Sequence, residues 1–235
     1  MDEALASLKS QGMGDNLEVI IQDGDVESDS GQGDALNKGF AKANGQWLFW
    51  LNADDVLLPG ALKSLEFRVQ SLEFRKVEWI AGDTVYLDEK GIVRDVRTDA
   101  KWRAWFGRRL SVWTGGPSAF FRRELWERIG GFDIELKYMM DIDLWTRWAR
   151  GGIKFEGLGR YVWGFRMHEG SKTMGGCNLV EQGNERRKID TRYGVSSTGF
   201  WRNITRAANV IDGSWQKRKM DARRFGGMNW GEVIQ

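Results

Sequence analysis

Gly45-Gln46-Trp47-Leu48-Phe49-Trp50-Leu51-Asn52-Ala53-Asp54-Asp55-Val56-Leu57-Leu58-Pro59-Gly60-Ala61-Leu62 is the stretch whose reading decides the fold of this chain. Trp47 to Leu51 is an apolar, aromatic-rich run of strand length. It ends abruptly in Asn52, Asp54 and Asp55 before Pro59-Gly60 turns the chain away. A buried strand that carries carboxylates at its carboxyl end is how open α/β sheets present chemistry in the crevice beyond the strand tips. Asp54 and Asp55, with Asn52 upstream, are hard oxygen ligands suited to Mg²⁺ or Mn²⁺ carrying a diphosphate. The same residues also suit a simple polar turn, because Asn and Asp bond to nearby backbone. The segments on either side decide between the two.

The 235 residues suffice for one domain, or one domain with a tail. The single Cys177 excludes an intrachain disulfide framework and fits a reducing compartment. No apolar run reaches bilayer length, and Met1 to Ser10 carries Asp2 and Glu3 where a leader would be basic, so a cytoplasmic location is expected. The formal charge of +2 is unevenly spread: residues 181–235 hold eleven basic and six acidic side chains, leaving the body slightly acidic. Only the tail is therefore suited to an anionic surface, and nucleic-acid binding is not expected.

Outward from the central stretch, Ala4 to Ser10 reads as the end of a helix, and Leu17 to Ile21 as a short strand closing at Gln22-Asp23-Gly24. Asp34 to Asn44 reads as a helix with Leu36, Phe40 and Ala43 on one face. Asp34, Asn37 and Lys38 stand near its start, where free N–H groups meet anions. A helix follows Pro59, and Ser64-Leu65-Glu66-Phe67-Arg68 is echoed by Ser71-Leu72-Glu73-Phe74-Arg75, a local duplication without a repeat domain. Val77 to Ala81 reads as a strand, Val85 to Val93 as a hairpin, and Asp99 to Leu110 as an aromatic, basic covering helix. Ser118 to Phe121 is a further buried strand, Arg122 to Ile129 a short helix closed by Gly130-Gly131. Asp141 and Asp143 then open an amphipathic helix. Capping explains one aspartate at a helix start more easily than two. His168, the only histidine, lies in the polar segment after the last strand, Tyr161 to Phe165, and is a third metal ligand or a phosphate contact.

These segments, in this order over roughly residues 4–173, resemble the family 2 glycosyltransferases of GT-A fold, in the bacterial polysaccharide-building branch. Leu17 to Gly24 resembles the strand and Asp-Gly turn that meet nucleotide base and ribose. Gly31 to Gly39 resembles the segment between nucleotide and metal contacts. Leu51-Asn52-Ala53-Asp54-Asp55 is similar to the DxD-type motif, with Asn52 in place of its first carboxylate. Gly130-Gly131-Phe132-Asp133 and Met140-Asp141-Ile142-Asp143-Leu144-Trp145 are similar to the acceptor-side segment, and Arg166-Met167-His168 with Ser171-Lys172 to the late motif that closes on the diphosphate. The resemblance implies an α/β, GT-A-like domain over residues 1–180, its mixed sheet mostly parallel and flanked by helices, with a basic aromatic helical tail over 181–235. It also implies that the usual first strand and part of the nucleotide-binding half are missing, so that the open edge needs cover from the tail, a partner chain or a second copy.

The implied activity is a metal-dependent, inverting hexosyltransferase. It moves sugar from a UDP- or GDP-linked donor to a hydroxyl of a glycan or lipid-linked glycan. Mn²⁺ or Mg²⁺ is assigned to Asp54, Asp55 and His168, and nucleotide and diphosphate contacts to Asp23, Asp34, Asn37, Lys38, Asn52 and Lys172. Asp141 is assigned as general base, with Asp143 beside it. Glu181 to Gln235 carries spaced Trp, Phe and Ile residues among its cations and can lie on the inner membrane face as a peripheral contact, or pack back on the body. Asp212, Asp221, Glu232 and the break at Gly213 favour packing. The rival function is a noncatalytic carbohydrate-binding or assembly subunit using Trp102, Trp105 and Trp113.

Overall fold

The computed structural model describes residues 1–71, 77–98, 115–153, 155–172, 178–195, 203, 207, 210–211 and 213–233. Its elements run α1 (Asp2–Lys9), α2 (Gln32–Lys42), β1 (Trp47–Leu48), β2 (Val56–Leu57), α3 (Ala61–Gln70), β3 (Trp79–Leu87), β4 (Val93–Arg97), β5 (Ala119–Arg122), α4 (Arg123–Ile129), α5 (Met140–Arg150), β6 (Phe155–Arg166), α6 (Leu179–Tyr193) and α7 (Ser214–Phe225). The expected covering helix at 99–110, with Trp102 and Trp105, lies outside the described residues, as do Trp113 and all but Ser71 of the second copy of the five-residue echo.

Alternation along two strands builds the layers. Trp79 and Ala81 face a core with Phe121, Trp145 and Trp148, while Ile80 and Phe120 face another with Leu8, Leu62 and Leu65. Helix α5 therefore covers one face of the sheet, and α1 and α3 cover the other. In α5, Ile142, Trp145, Trp148 and Ala149 recur at helical spacing and are buried together. Trp79 stacks on Trp145 at 5.1 Å between centroids, and Trp145 reaches Trp50 at 6.0 Å. Aromatic packing thus runs from the sheet centre to the segment before Asn52.

The sheet order is β1-β5-β3-β6-β2, with β4 also on β3. Among these pairings only β3–β6 is parallel, so the sheet is mostly antiparallel, correcting the expectation of a mostly parallel one. Parallel neighbours would each need a crossover connection of a dozen or more residues. Instead β4 folds back on β3 as a hairpin, and β5 and β2 pair antiparallel with strands distant in sequence, which needs no such crossover. What remains is a GT-A-like mixed α/β fold.

Two segments depart from their expected form. Leu17 to Ile21 makes no strand, and Val19 and Ile21 are exposed. The run Trp47 to Leu51 contributes only Trp47 and Leu48 to the ladder, opposite Arg122 and Phe121. Beyond Leu48 the chain leaves the sheet and re-enters it at β2, whose Val56 and Leu57 are fully buried against β6. The acidic loop is thus held at both ends by buried strand residues.

The C-terminal segment packs onto the body. Phe225 lies against Tyr161, and α7 is tied to the sheet by Lys217–Asp83 at 2.7 Å and Arg218–Asp95 at 2.6 Å. The chain after α7 then runs along β4, where Gly227 N–H donates to the Val93 carbonyl and Val93 N–H to the Met228 carbonyl. This occupies an edge that would otherwise present unpaired backbone groups.

Candidate active site

Asp54 and Asp55 are neighbours with opposite environments. Asp55 is 1% exposed. Its Oδ1 accepts from the Arg166 backbone N–H at 2.8 Å, and its Oδ2 from the Asn52 side-chain amide at 2.7 Å. Burial pushes its pKa up to about 7, and the Asp54 charge acts in the same direction. Asp54 faces outward, its Oδ2 2.9 Å from His168 Nε2. Arg166 binds the Asp54 carbonyl through Nε at 2.9 Å, and also pairs with Glu3 of α1. The motif loop is therefore fastened to the end of β6, and the fastening turns one carboxylate in and the other out.

Asn52 extends the network. Its Oδ1 accepts from Gln32 Nε2 at 3.0 Å, and Gln32 Oε1 accepts from Lys172 at 3.3 Å. Gln32, Asn52 and Lys172 line one side of a cavity of about 130 Å³, and Lys137, Tyr138 and Asp141 also border it. Burial, and then the charge of Lys137, pull the Lys172 pKa below the usual lysine value.

Asp141 occupies the first turn of α5, where exposed N–H groups favour a carboxylate. Its Oδ1 accepts from the Ile142 N–H at 2.8 Å, and burial pushes its pKa up to about 6. Its Oδ2 lies only 3.3 Å from where a Cβ on Gly116 would stand, and that same Cβ would stand 2.4 Å from the Trp50 ring. Glycine at 116 leaves this wall open.

Asp143 is brought elsewhere. It is fully buried, with Oδ2 on Arg147 at 3.1 Å and Oδ1 on Arg192 at 2.9 Å and Tyr193 at 2.8 Å, joining α5 to α6. Helix α6 holds the approach to α5 at a second point: Glu185 accepts from the N–H groups of Lys137, Tyr138 and Met139 at 2.8 to 2.9 Å. Three convergent donors on one buried carboxylate fix the backbone of the cavity wall. No local pattern marks Glu185 in the sequence, because its partners lie nearly fifty residues upstream.

The remaining predicted residues serve the loop before α2 and the helix itself. Asp23 accepts from the Asp25 N–H at 3.0 Å. Asp34 accepts from Ser30 at 2.9 Å and from Lys38 at 3.1 Å, while Lys38 also donates to the Ser28 carbonyl at 2.7 Å. Asn37 makes a two-way amide pair with the Phe132 backbone, at 2.8 and 2.9 Å, and a Cβ at Gly131 would stand 2.2 Å from its Oδ1. None of these four lines the cavity.

Among the described residues no cluster of three or more His, Cys, Asp or Glu side chains is poised for a metal ion. The outward pair, Asp54 and His168, supplies one carboxylate and one imidazole. Two protein ligands fit Mg²⁺ or Mn²⁺ whose other positions go to phosphate oxygens and water. Asp55 fits less well, since both its oxygens are taken. No described helix is long and apolar enough to cross a membrane.

Residues 25–75 match the family model described as glycosyl transferase family 2. No curated protein matches the chain. Among solved structures, S. aureus TarS 1-349 aligns at 17% identity and a TM-score of 0.52, covering 70% of this chain and 56% of that one. The same protein in complex with UDP gives 0.52, and in complex with UDP-GlcNAc 0.53, both at 17% identity and covering 71% and 72% of this chain. This chain spans a little over half the length of those structures, and the likeness is one of fold.

Proposed function

From a chain that carries a glycosyl transferase family 2 segment on a GT-A-like fold, we propose a glycosyltransferase that moves a sugar from a nucleoside-diphosphate donor to a hydroxyl of a glycan or lipid-linked glycan. The observation that carries the reading is the cavity beside the motif loop, lined by Asn52 and Lys172 and by the half-buried Asp141. The UDP and UDP-GlcNAc bound by TarS make a UDP-linked sugar the first donor to test.

In this reading Lys172 contacts the donor diphosphate, and Asp54 with His168 would hold a divalent ion. Such an ion supplies charge neutralisation of the leaving diphosphate when bound. Asp141 Oδ2 takes the proton of the acceptor hydroxyl as that oxygen bonds to the anomeric carbon. The bond from that carbon to the diphosphate oxygen breaks, and the electron pair leaves with the nucleotide. A base opposite the leaving group gives inversion. The burial that raises Asp141 to about 6 makes it a stronger base while leaving it largely ionised at neutral pH. Asp143 and Glu185 hold the base and the wall in place without touching the reacting atoms.

The test is transfer from UDP-sugars to a panel of glycan and lipid-linked acceptors, with wild type and Asp141→Asn. Transfer by wild type that Asp141→Asn lowers by roughly 10²- to 10⁴-fold supports the reading. Equal transfer by both removes Asp141 as base, and donor-independent glycan binding without transfer supports a noncatalytic subunit.

A further inference from the structure

Helix α7 sorts its charges by face. Its only acidic residue, Asp221, turns inward and accepts from the Tyr161 hydroxyl at 2.7 Å. Lys217 and Arg218 also turn toward the sheet, bound to Asp83 and Asp95, and Arg218 Nε donates to the Val96 carbonyl at 2.9 Å. What remains outward is Gln216, Lys219, Met220 and Arg223, at the spacing of one helical face, with Trp215 and Arg224 on its flanks.

With its flanks, that face carries three cations, Lys219, Arg223 and Arg224, and among the described residues it holds no anion and stays open. Met220 is 70% exposed and Trp215 46% exposed, and Ile211, just ahead of the helix, is 82% exposed. Lys219 lies over the Trp215 ring at 3.8 Å, so charge and aromatic surface are presented together. A soluble acidic partner would be met by the cations alone. Large apolar side chains standing among the cations fit a surface that is anionic at headgroup level and apolar just beneath it.

We propose that the outward face of α7 docks the protein on an anionic lipid bilayer, with Lys219, Arg223 and Arg224 at the phosphates and Trp215 and Met220 at the acyl boundary. The inward ion pairs hold the helix against β4, so the face is displayed as a fixed surface. This proposal uses no part of the catalytic reading and stands or falls apart from it.

The test is co-sedimentation of the full chain with phosphatidylcholine vesicles, with and without phosphatidylglycerol, at low and high salt. The expected result is binding to the anionic vesicles only, weakened by salt. Joint replacement of Lys219→Gln, Arg223→Gln and Arg224→Gln weakens it on the order of a hundredfold, at roughly fivefold per cation. Trp215→Ser with Met220→Ser weakens it while leaving the salt dependence in place. Each variant is checked for an unchanged thermal transition, and single Arg223→Gln and Met220→Ser variants carry the test if a combined variant does not fold. Equal binding to neutral and anionic vesicles overturns the proposal, as does unchanged binding by the triple variant. Binding to soluble polyphosphate without binding to vesicles also overturns it and points to an acidic polymer as the occupant.

Discussion

Replacing Asp55 by asparagine removes a pH dependence that the fold builds in. Asp55 is raised from 3.8 to about 7 by burial, so the folded chain holds a proton that the unfolded chain has released across that interval. The sign follows: a raised folded-state pKa stabilises below the unfolded value, and that stabilisation is lost as pH rises through the folded one. Between pH 5 and pH 8 the loss for this one carboxyl is roughly 2.5 kcal/mol. Asp141 and other groups titrating there are common to both proteins and cancel in the comparison. Urea unfolding of wild type and Asp55→Asn, in chelator, at pH 5 and pH 8 gives the difference directly. Wild type should lose about 2.5 kcal/mol more than the variant over that interval. Parallel pH profiles would mean that Asp55 is ionised in the folded chain, and the division into an inward Asp55 and an outward Asp54 would fail.

The rate of transfer should rise through an apparent pKa near 6 as Asp141 ionises, and a kcat/KM profile that stays flat from pH 5 to 8 would remove it as base. Asp143→Ala leaves Arg147 and Arg192 without their shared buried carboxylate and should cost roughly 3–5 kcal/mol by denaturant unfolding. Gly116→Ala sets a methyl group into the Trp50 ring, costing roughly 1–3 kcal/mol of stability and narrowing the wall beside Asp141. A melting temperature equal to wild type would show that Trp50 yields freely.

The periodic parts of the chain were legible in the sequence. Trp145, Trp148 and Ala149 announce α5 by their spacing, Gly130 marks the end of α4 with a φ of +92°, and the hairpin of β3 and β4 follows from Asp88 to Gly91. Pairing was not legible, because local patterns fix which face of a strand is buried and leave its neighbour open. That is why Leu17 to Ile21, apolar and β-branched, reads as a strand yet finds no ladder. The same limit applies at the site. Which of Asp54 and Asp55 turns inward is set by an N–H on Arg166, 111 residues away, and Glu185 acts on a loop 46 to 48 residues upstream.

Under the proposed function, Asp54 and His168 would hold the divalent ion that accompanies a nucleoside-diphosphate donor. Calorimetric titration of UDP into the full-length chain, with and without Mn²⁺, tests it most directly when repeated on Asp54→Ala. Binding to wild type should need Mn²⁺ and should disappear in Asp54→Ala, with the variant's thermal transition retained. Equal binding with and without Mn²⁺, or full binding by Asp54→Ala, would contradict it.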